Sequence, residues 1–210
     1  MKYNALLLFL LLVPMWLSAD EKVKDVKYSR GKVFLQNGDT VNAYIKSEAL
    51  YNLQSGIQCL DSLGNEYSLL PSNSKGFCMM FKKDTMYFES RRDLKTVLFT
   101  SKKSKSSFIY RISNGKLPLY YFVEKGLKMD GIDQVTVELP RYLILLDQEW
   151  YSLTKKYFVN DFKKLVTNLK GVLDKEQLDK LYFEVADEKF EFDNAPLLLE
   201  KLNKMPAAKY

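Results

Sequence analysis

From Tyr28 to Leu153, apolar residues alternate with polar ones, and turn formers interrupt them at short intervals. A period of two places alternate side chains on one face, so it predicts half-buried strands. Val33 and Leu35 alternate before Asn37-Gly38, and Val41, Ala43 and Ile45 alternate after it. Both turn residues tolerate positive φ, so a hairpin over residues 31–45 is expected. A second is expected between residues 57–60 and 67–70, around Asp61-Ser62-Leu63-Gly64-Asn65. A third joins residues 77–81 to 85–89 through Lys82-Lys83-Asp84. Phe77, Met79 and Phe81 would share one of its faces, with Cys78 and Met80 on the other. Residues 94–100 should pair with 107–112. Strands at 119–123, 134–139, 142–146 and 149–153 follow, with Pro140-Arg141 separating two of them. That makes about ten short strands at the spacing of a sandwich or barrel.

Near Tyr157 the period changes. Phe162, Leu165, Val166 and Leu169 repeat at three and four, the signature of one helical face. Asn160 or Asp161 can cap that helix and Gly171 can end it. Asp174-Lys175-Glu176-Gln177 resembles a capping box ahead of Leu178, Leu181 and Tyr182. Phe190 and Phe192 alternate as a short extended piece. Asp193-Asn194-Ala195-Pro196 then starts a helix whose buried side is Leu198, Leu199, Leu202 and Met205. The expected fold class is α+β. It is mostly antiparallel β, a sandwich or partly open barrel of short hairpins, over residues 28–156. A helical unit over residues 157–206 packs on it.

The first nineteen residues follow neither period. Lys2 precedes an apolar run from Ala5 to Val13, and Ala19 precedes the charged Asp20-Glu21. This is the layout of a secretory signal peptide, residues 1–19, followed by a polar tether, residues 20–27. The run is shorter than the roughly 20 apolar residues of a spanning helix, and Pro14 interrupts it. The expectation is export to the periplasm, the cell envelope or the medium, with membrane contact only through the leader.

Composition narrows the chemistry. The chain of 210 residues has no histidine, two cysteines and a net charge of +6. Without imidazole there is no Ser-His-Asp or Cys-His catalysis and no histidine-dependent metal site. No cofactor is implied. Cys59 and Cys78 both fall in apolar strands. An oxidising compartment permits a disulfide between them, while two buried thiols acting as small hydrophobes are the plainer alternative.

Three segments carry a resemblance. They are Gly31-Lys32-Val33-Phe34-Leu35-Gln36-Asn37-Gly38-Asp39-Thr40-Val41-Asn42-Ala43-Tyr44-Ile45, then Asn114-Gly115-Lys116-Leu117-Pro118-Leu119-Tyr120, and then residues 162–169 followed by Phe190, Phe192 and residues 198–203. Their order resembles a group of exported β-rich proteins of Bacteroidota that open on an N-G-D-T hairpin and end in a helical tail. Ala43 stands where that group usually has glycine. The resemblance implies an envelope or extracellular location and brings no activity with it.

Candidate binding residues are few. Lys102, Lys103 and Lys105 form a basic loop among Phe99, Phe108 and Tyr110. Such a loop suits an anionic glycan or a lipid headgroup; export argues against nucleic acid. Tyr120 and Trp150 sit in aromatic strand segments where consecutive residues face opposite sides, so one of each group can be exposed for stacking. Asp39 reads as a turn residue. Glu124, Asp130, Asp133, Glu138, Asp147 and Glu149 supply carboxylates without a spacing that defines a glycosidase pair. The expectation is a non-catalytic binding or interaction module whose partner is an envelope protein or an anionic glycan. A histidine-free glycan hydrolase using a carboxylate pair and a structural envelope-assembly protein are the alternatives.

Overall fold

A computed structural model describes residues 28–92, 94, 106–169, 174–186 and 191–204. The expected leader and tether, the strand at 94–100 beyond Leu94, and Phe190 and Met205 lie outside the described residues. The described chain is mostly antiparallel strand, with a few helices that include a C-terminal one. It divides at Phe108 and Ile109 into two compact units. That division falls inside the segment expected to be one β-rich domain, residues 28–156.

The first unit holds β1 (Tyr28–Leu35), β2 (Thr40–Lys46), the short helix α1 (Leu50–Ser55), β3 (Ile57–Leu60), β4 (Glu66–Leu69), β5 (Ser74–Phe81) and β6 (Asp84–Arg91). Its strands run in the order β4-β3-β2-β1-β5-β6, as an open antiparallel array. One face is the core: Val33, Ala43, Ile45, Ile57, Cys59, Phe77, Met79 and Phe88 are buried there. Phe77 and Met79 share that face as expected, whereas Phe81, at the end of β5, is exposed.

The first hairpin forms, with a different turn. Phe34 pairs with Thr40, the Leu35 N–H donates to the Asp39 carbonyl at 2.9 Å, and the Gly38 N–H donates to the Leu35 carbonyl at 3.1 Å. The loop is therefore three residues, Gln36-Asn37-Gly38, with positive φ at Gly38 alone (98°). The Asn37 side chain explains the change: its amide oxygen accepts from the Asp39 N–H at 3.0 Å, and its amide nitrogen donates to the Asp39 carboxylate at 2.6 Å. This local bonding suits a three-residue loop ending in a left-handed glycine. In the second hairpin Asp61 plays the similar part, accepting from the backbone N–H of Leu63 and of Asn65. A bond from the Asn65 side chain, together with those backbone bonds, holds its carboxyl below the usual range.

The second unit contains most of β7 (Ser107–Ser113), then β8 (Leu119–Asp130), β9 (Asp133–Leu146), β10 (Glu149–Thr154), α2 (Phe158–Asn168), α3 (Lys175–Ala186), a 3-10 turn (Phe192–Asn194) and α4 (Ala195–Lys204). Helix and strand residues build one core, in which Leu119, Ile144 and Leu153 meet Phe162, Leu165, Leu199 and Leu202. The Asn203 side chain fixes α4 to the loop before β8 by mimicking a peptide. Its oxygen accepts from the Leu117 N–H at 2.8 Å and its nitrogen donates to the Leu117 carbonyl at 3.0 Å. Gly115 must be glycine for this contact, because it has φ +140° and a Cβ there would lie 2.6 Å from Asn203.

Three expectations are corrected by the structure. β9 is one strand of 14 residues that runs through Pro140-Arg141. β10 stops opposite Arg141, so Pro140 lies where that side of β9 has become an edge, and an edge tolerates a missing N–H. α2 starts at Phe158, and Asp161 does not cap it. Its carboxylate instead accepts from the Thr154 N–H at 3.0 Å and hydroxyl at 2.7 Å, fixing the corner after β10. Phe192 is buried in a 3-10 turn, not extended. The capping box at α3 forms as expected: the Gln177 N–H donates to Asp174 at 2.8 Å, and the Asp174 N–H donates to Gln177 at 3.0 Å.

The turn between β9 and β10 yields a prediction. Leu146 pairs with Glu149, and Asp147 and Gln148 both have positive φ, 49° and 67°. This is a type I′ turn, in which Asp-Gly is far more comfortable than Asp-Gln. Gln148→Gly should stabilise the protein by about 0.5–1 kcal/mol. The measurement is the urea midpoint, and a lower midpoint would show that the Gln148 side chain holds the turn.

Candidate functional site

The sheet of the first unit has a second, solvent-facing side. Pairing places Asn42, Lys32, Cys78 and Tyr87 opposite one another on β2, β1, β5 and β6. A second row continues the register one step along, with Tyr44 opposite Arg30 and Met80 opposite Thr85. These residues line a groove of about 600 Å³, with Ser62 at its rim. Arg30 and Lys32 are exposed, Tyr44 is half-buried, Met80 is 49% exposed and Tyr87 is 41% exposed. The floor includes Cys78, which is 8% exposed.

The charge of this groove is not compensated locally. Among the described residues no carboxylate lines it, and neither Arg30 nor Lys32 is in an ion pair. Lys46, two residues beyond Tyr44, shows the contrast, because it donates to Gln58 at 2.8 Å and pairs with Glu48 at 3.2 Å. A cleft of about 490 Å³ at the start of α2 differs in the same way. Its Lys155 lies 3.8 Å from Asp193, and its Lys156 sits over the Tyr157 ring. Two cations between two tyrosines, with an amide and hydroxyls beside them, can hold an anion and hydrogen-bond its neighbours.

The residues singled out from sequence fall elsewhere. Lys102, Lys103 and Lys105 lie outside the described residues. Tyr120 is buried, so it is no open stacking surface; Trp150 is half-buried and packs edge-on against it at 5.4 Å between ring centroids. Cys59 and Cys78 are free and buried, and the disulfide considered from sequence is not formed. Its absence follows from the topology. β3 and β5 are separated by β2 and β1, which puts about 14 Å between the two strands, twice the span a disulfide tolerates. The side chains also face opposite sides, since Cys59 lies opposite Ile45 on the core face and Cys78 opposite Lys32 in the groove. Burial pushes the Cys59 thiol up to about 12, which keeps it protonated and inert.

The acidic series does not converge. Glu124 is ion-paired with Arg141 at 2.6 Å, while Asp130, Asp133, Glu138, Asp147 and Glu149 are exposed along β8, β9, the start of β10 and the turns between them. Asp39 is the turn residue that the sequence suggests.

Sequence reasoning missed the groove because its residues come from four strands. The pairing of β1 with β5 joins segments more than thirty residues apart. One signal was present: both Arg30 and Lys32 occupy outward positions of the first hairpin's alternation. No protein family, curated protein or solved structure matches the chain.

Proposed function

We propose that this protein is an exported, non-catalytic binding module that takes an anionic ligand on the outer face of β2-β1-β5-β6. The observation carrying this reading is the pair of exposed cations, Arg30 and Lys32, in a groove that no carboxylate lines among the described residues. The leader-like residues 1–19 supply the reason for export. Outside the cell the available polyanions are envelope and extracellular polymers, so the reading and the compartment agree.

Exposed ion pairs contribute about 0.2–1 kcal/mol each. Arg30→Gln with Lys32→Gln should therefore weaken binding of polygalacturonate and of polyphosphate by about twofold to thirtyfold. Isothermal titration at low and physiological salt measures this, and added salt should weaken the unsubstituted protein in the same sense. Equal binding by the doubly substituted protein, or no binding of either polymer by the original, would overturn the proposal.

A further inference from the structure

The groove's shape and its uncharged groups say more about the ligand than its charge does, and a ligand class drawn from them rests on the anion-binding reading of the same groove. Tyr44 on β2 and Tyr87 on β6 stand at opposite ends, three strand spacings across and one row along, or about 16 Å apart. Arg30 and Lys32 lie between them on β1, two residues apart, which is about 7 Å along the strand. A ligand that crosses the strands meets a phenol ring on β2, the cations on β1, the Met80 side chain on β5 and a second phenol ring on β6. Asn42, Thr85 and Ser62 border that path with one amide and two hydroxyls. These groups donate and accept at once, which suits a ligand rich in hydroxyls.

We infer that the ligand is an acidic oligosaccharide of the uronic-acid class, lying across the strands with sugar rings against Tyr44 and Tyr87 and carboxylates at Arg30 and Lys32. Tyrosine suits the faces of sugar rings because it combines a flat apolar body with a polar tip at little entropic cost. A flexible acidic peptide would use the cations and leave the rings idle. A nucleic acid gains affinity from many phosphate contacts along a basic track. Among the described residues only two cations line this groove, beside one amide, two hydroxyls and the half-exposed Met80 side chain.

The test compares four probes on the purified full chain by isothermal titration: oligogalacturonate, an uncharged oligoglucan, polyglutamate and a single-stranded oligonucleotide. Oligogalacturonate should bind more tightly than polyglutamate at equal charge. Tyr44→Ala and Tyr87→Ala should each weaken oligogalacturonate about twofold to tenfold and leave polyglutamate unchanged. Tyr44→Phe should retain most of the affinity, which separates ring stacking from loss of fold; circular dichroism checks the alanine variants. If oligogalacturonate and polyglutamate bind alike and the tyrosine variants change neither, the sugar assignment fails while the anion site stands. If only the Arg30 and Lys32 substitutions matter, the result is the same. Tighter, tyrosine-dependent binding of the oligonucleotide also overturns it, and binding of no anion overturns both readings.

Discussion

Phe77→Ala should destabilise the protein by about 3–5 kcal/mol. Phe77 is fully buried at the middle of β5, where it pairs with Val33 on β1 and with Phe88 on β6. Its ring stacks on Phe88 with centroids 4.4 Å apart and planes 7° apart, and meets Phe108 edge-on at 5.0 Å. Truncation removes the burial of a large ring and two aromatic contacts at once. It also leaves a cavity that cannot close, because the strands on either side are held by their backbone ladders. A loss of this size is a large share of the 5–15 kcal/mol that holds a typical domain together. Phe81→Ala serves as control, since the Phe81 ring is about half exposed at the end of the same strand, and it should change stability by less than about 1 kcal/mol. Urea unfolding of both variants decides the matter. Similar losses for the two would mean that the Phe77 cluster is not the centre of this core.

The same strand shows how much of the fold could be read in advance. Alternation located β5 and β6, and their apolar phase correctly put Phe77 and Met79 on one face. It could not tell that Phe81 runs past the core, because burial at a strand's end depends on the length of its neighbours. Local chemistry was legible in several places where both partners were close in sequence: the Asp61 turn, the reciprocal Asp174–Gln177 cap, and the position of the Asn37-Gly38 hairpin though not its loop length. The Asp161–Thr154 corner, whose partners are seven residues apart, looked instead like a helix cap. The helix α1 escaped because six residues are too few to display a period of 3.6. Pro140 looked like a strand breaker, since nothing in the segment says where β10 will stop. The groove was the least legible feature, because its cations and its tyrosines meet only through the β1–β5 pairing. The Cys59–Cys78 alternatives were decided by that same pairing, which sets the strand order and the face each thiol occupies.

Arg141 provides the second large effect, this time in the unit that carries the helices. The residue is 6% exposed. Its guanidinium donates to Glu124 at 2.6 Å and to the Ser152 hydroxyl at 3.3 Å, and its Nε is buried without a hydrogen-bond partner. The pair sits where β10 ends and β8 and β9 continue as a ribbon to Asp130 and Asp133. That ribbon bears Leu127, Met129 and the 95% exposed Ile132, and a two-stranded ribbon has little stability of its own. Arg141→Met leaves the Glu124 carboxylate desolvated and alone, so it should cost about 3–5 kcal/mol. Glu124→Leu together with Arg141→Met removes both charges, and should recover most of that loss or exceed the original stability, because a buried ion pair gains little over well-packed apolar groups. The interaction energy from the double-mutant cycle should then be at least about 2 kcal/mol. Hydrogen exchange along residues 125–138 should speed up in the single variant and return towards its original rate in the double one. Additive losses in the cycle would mean that the two charges are solvated and that the ribbon is anchored by its apolar root, Phe122 and Leu143, alone.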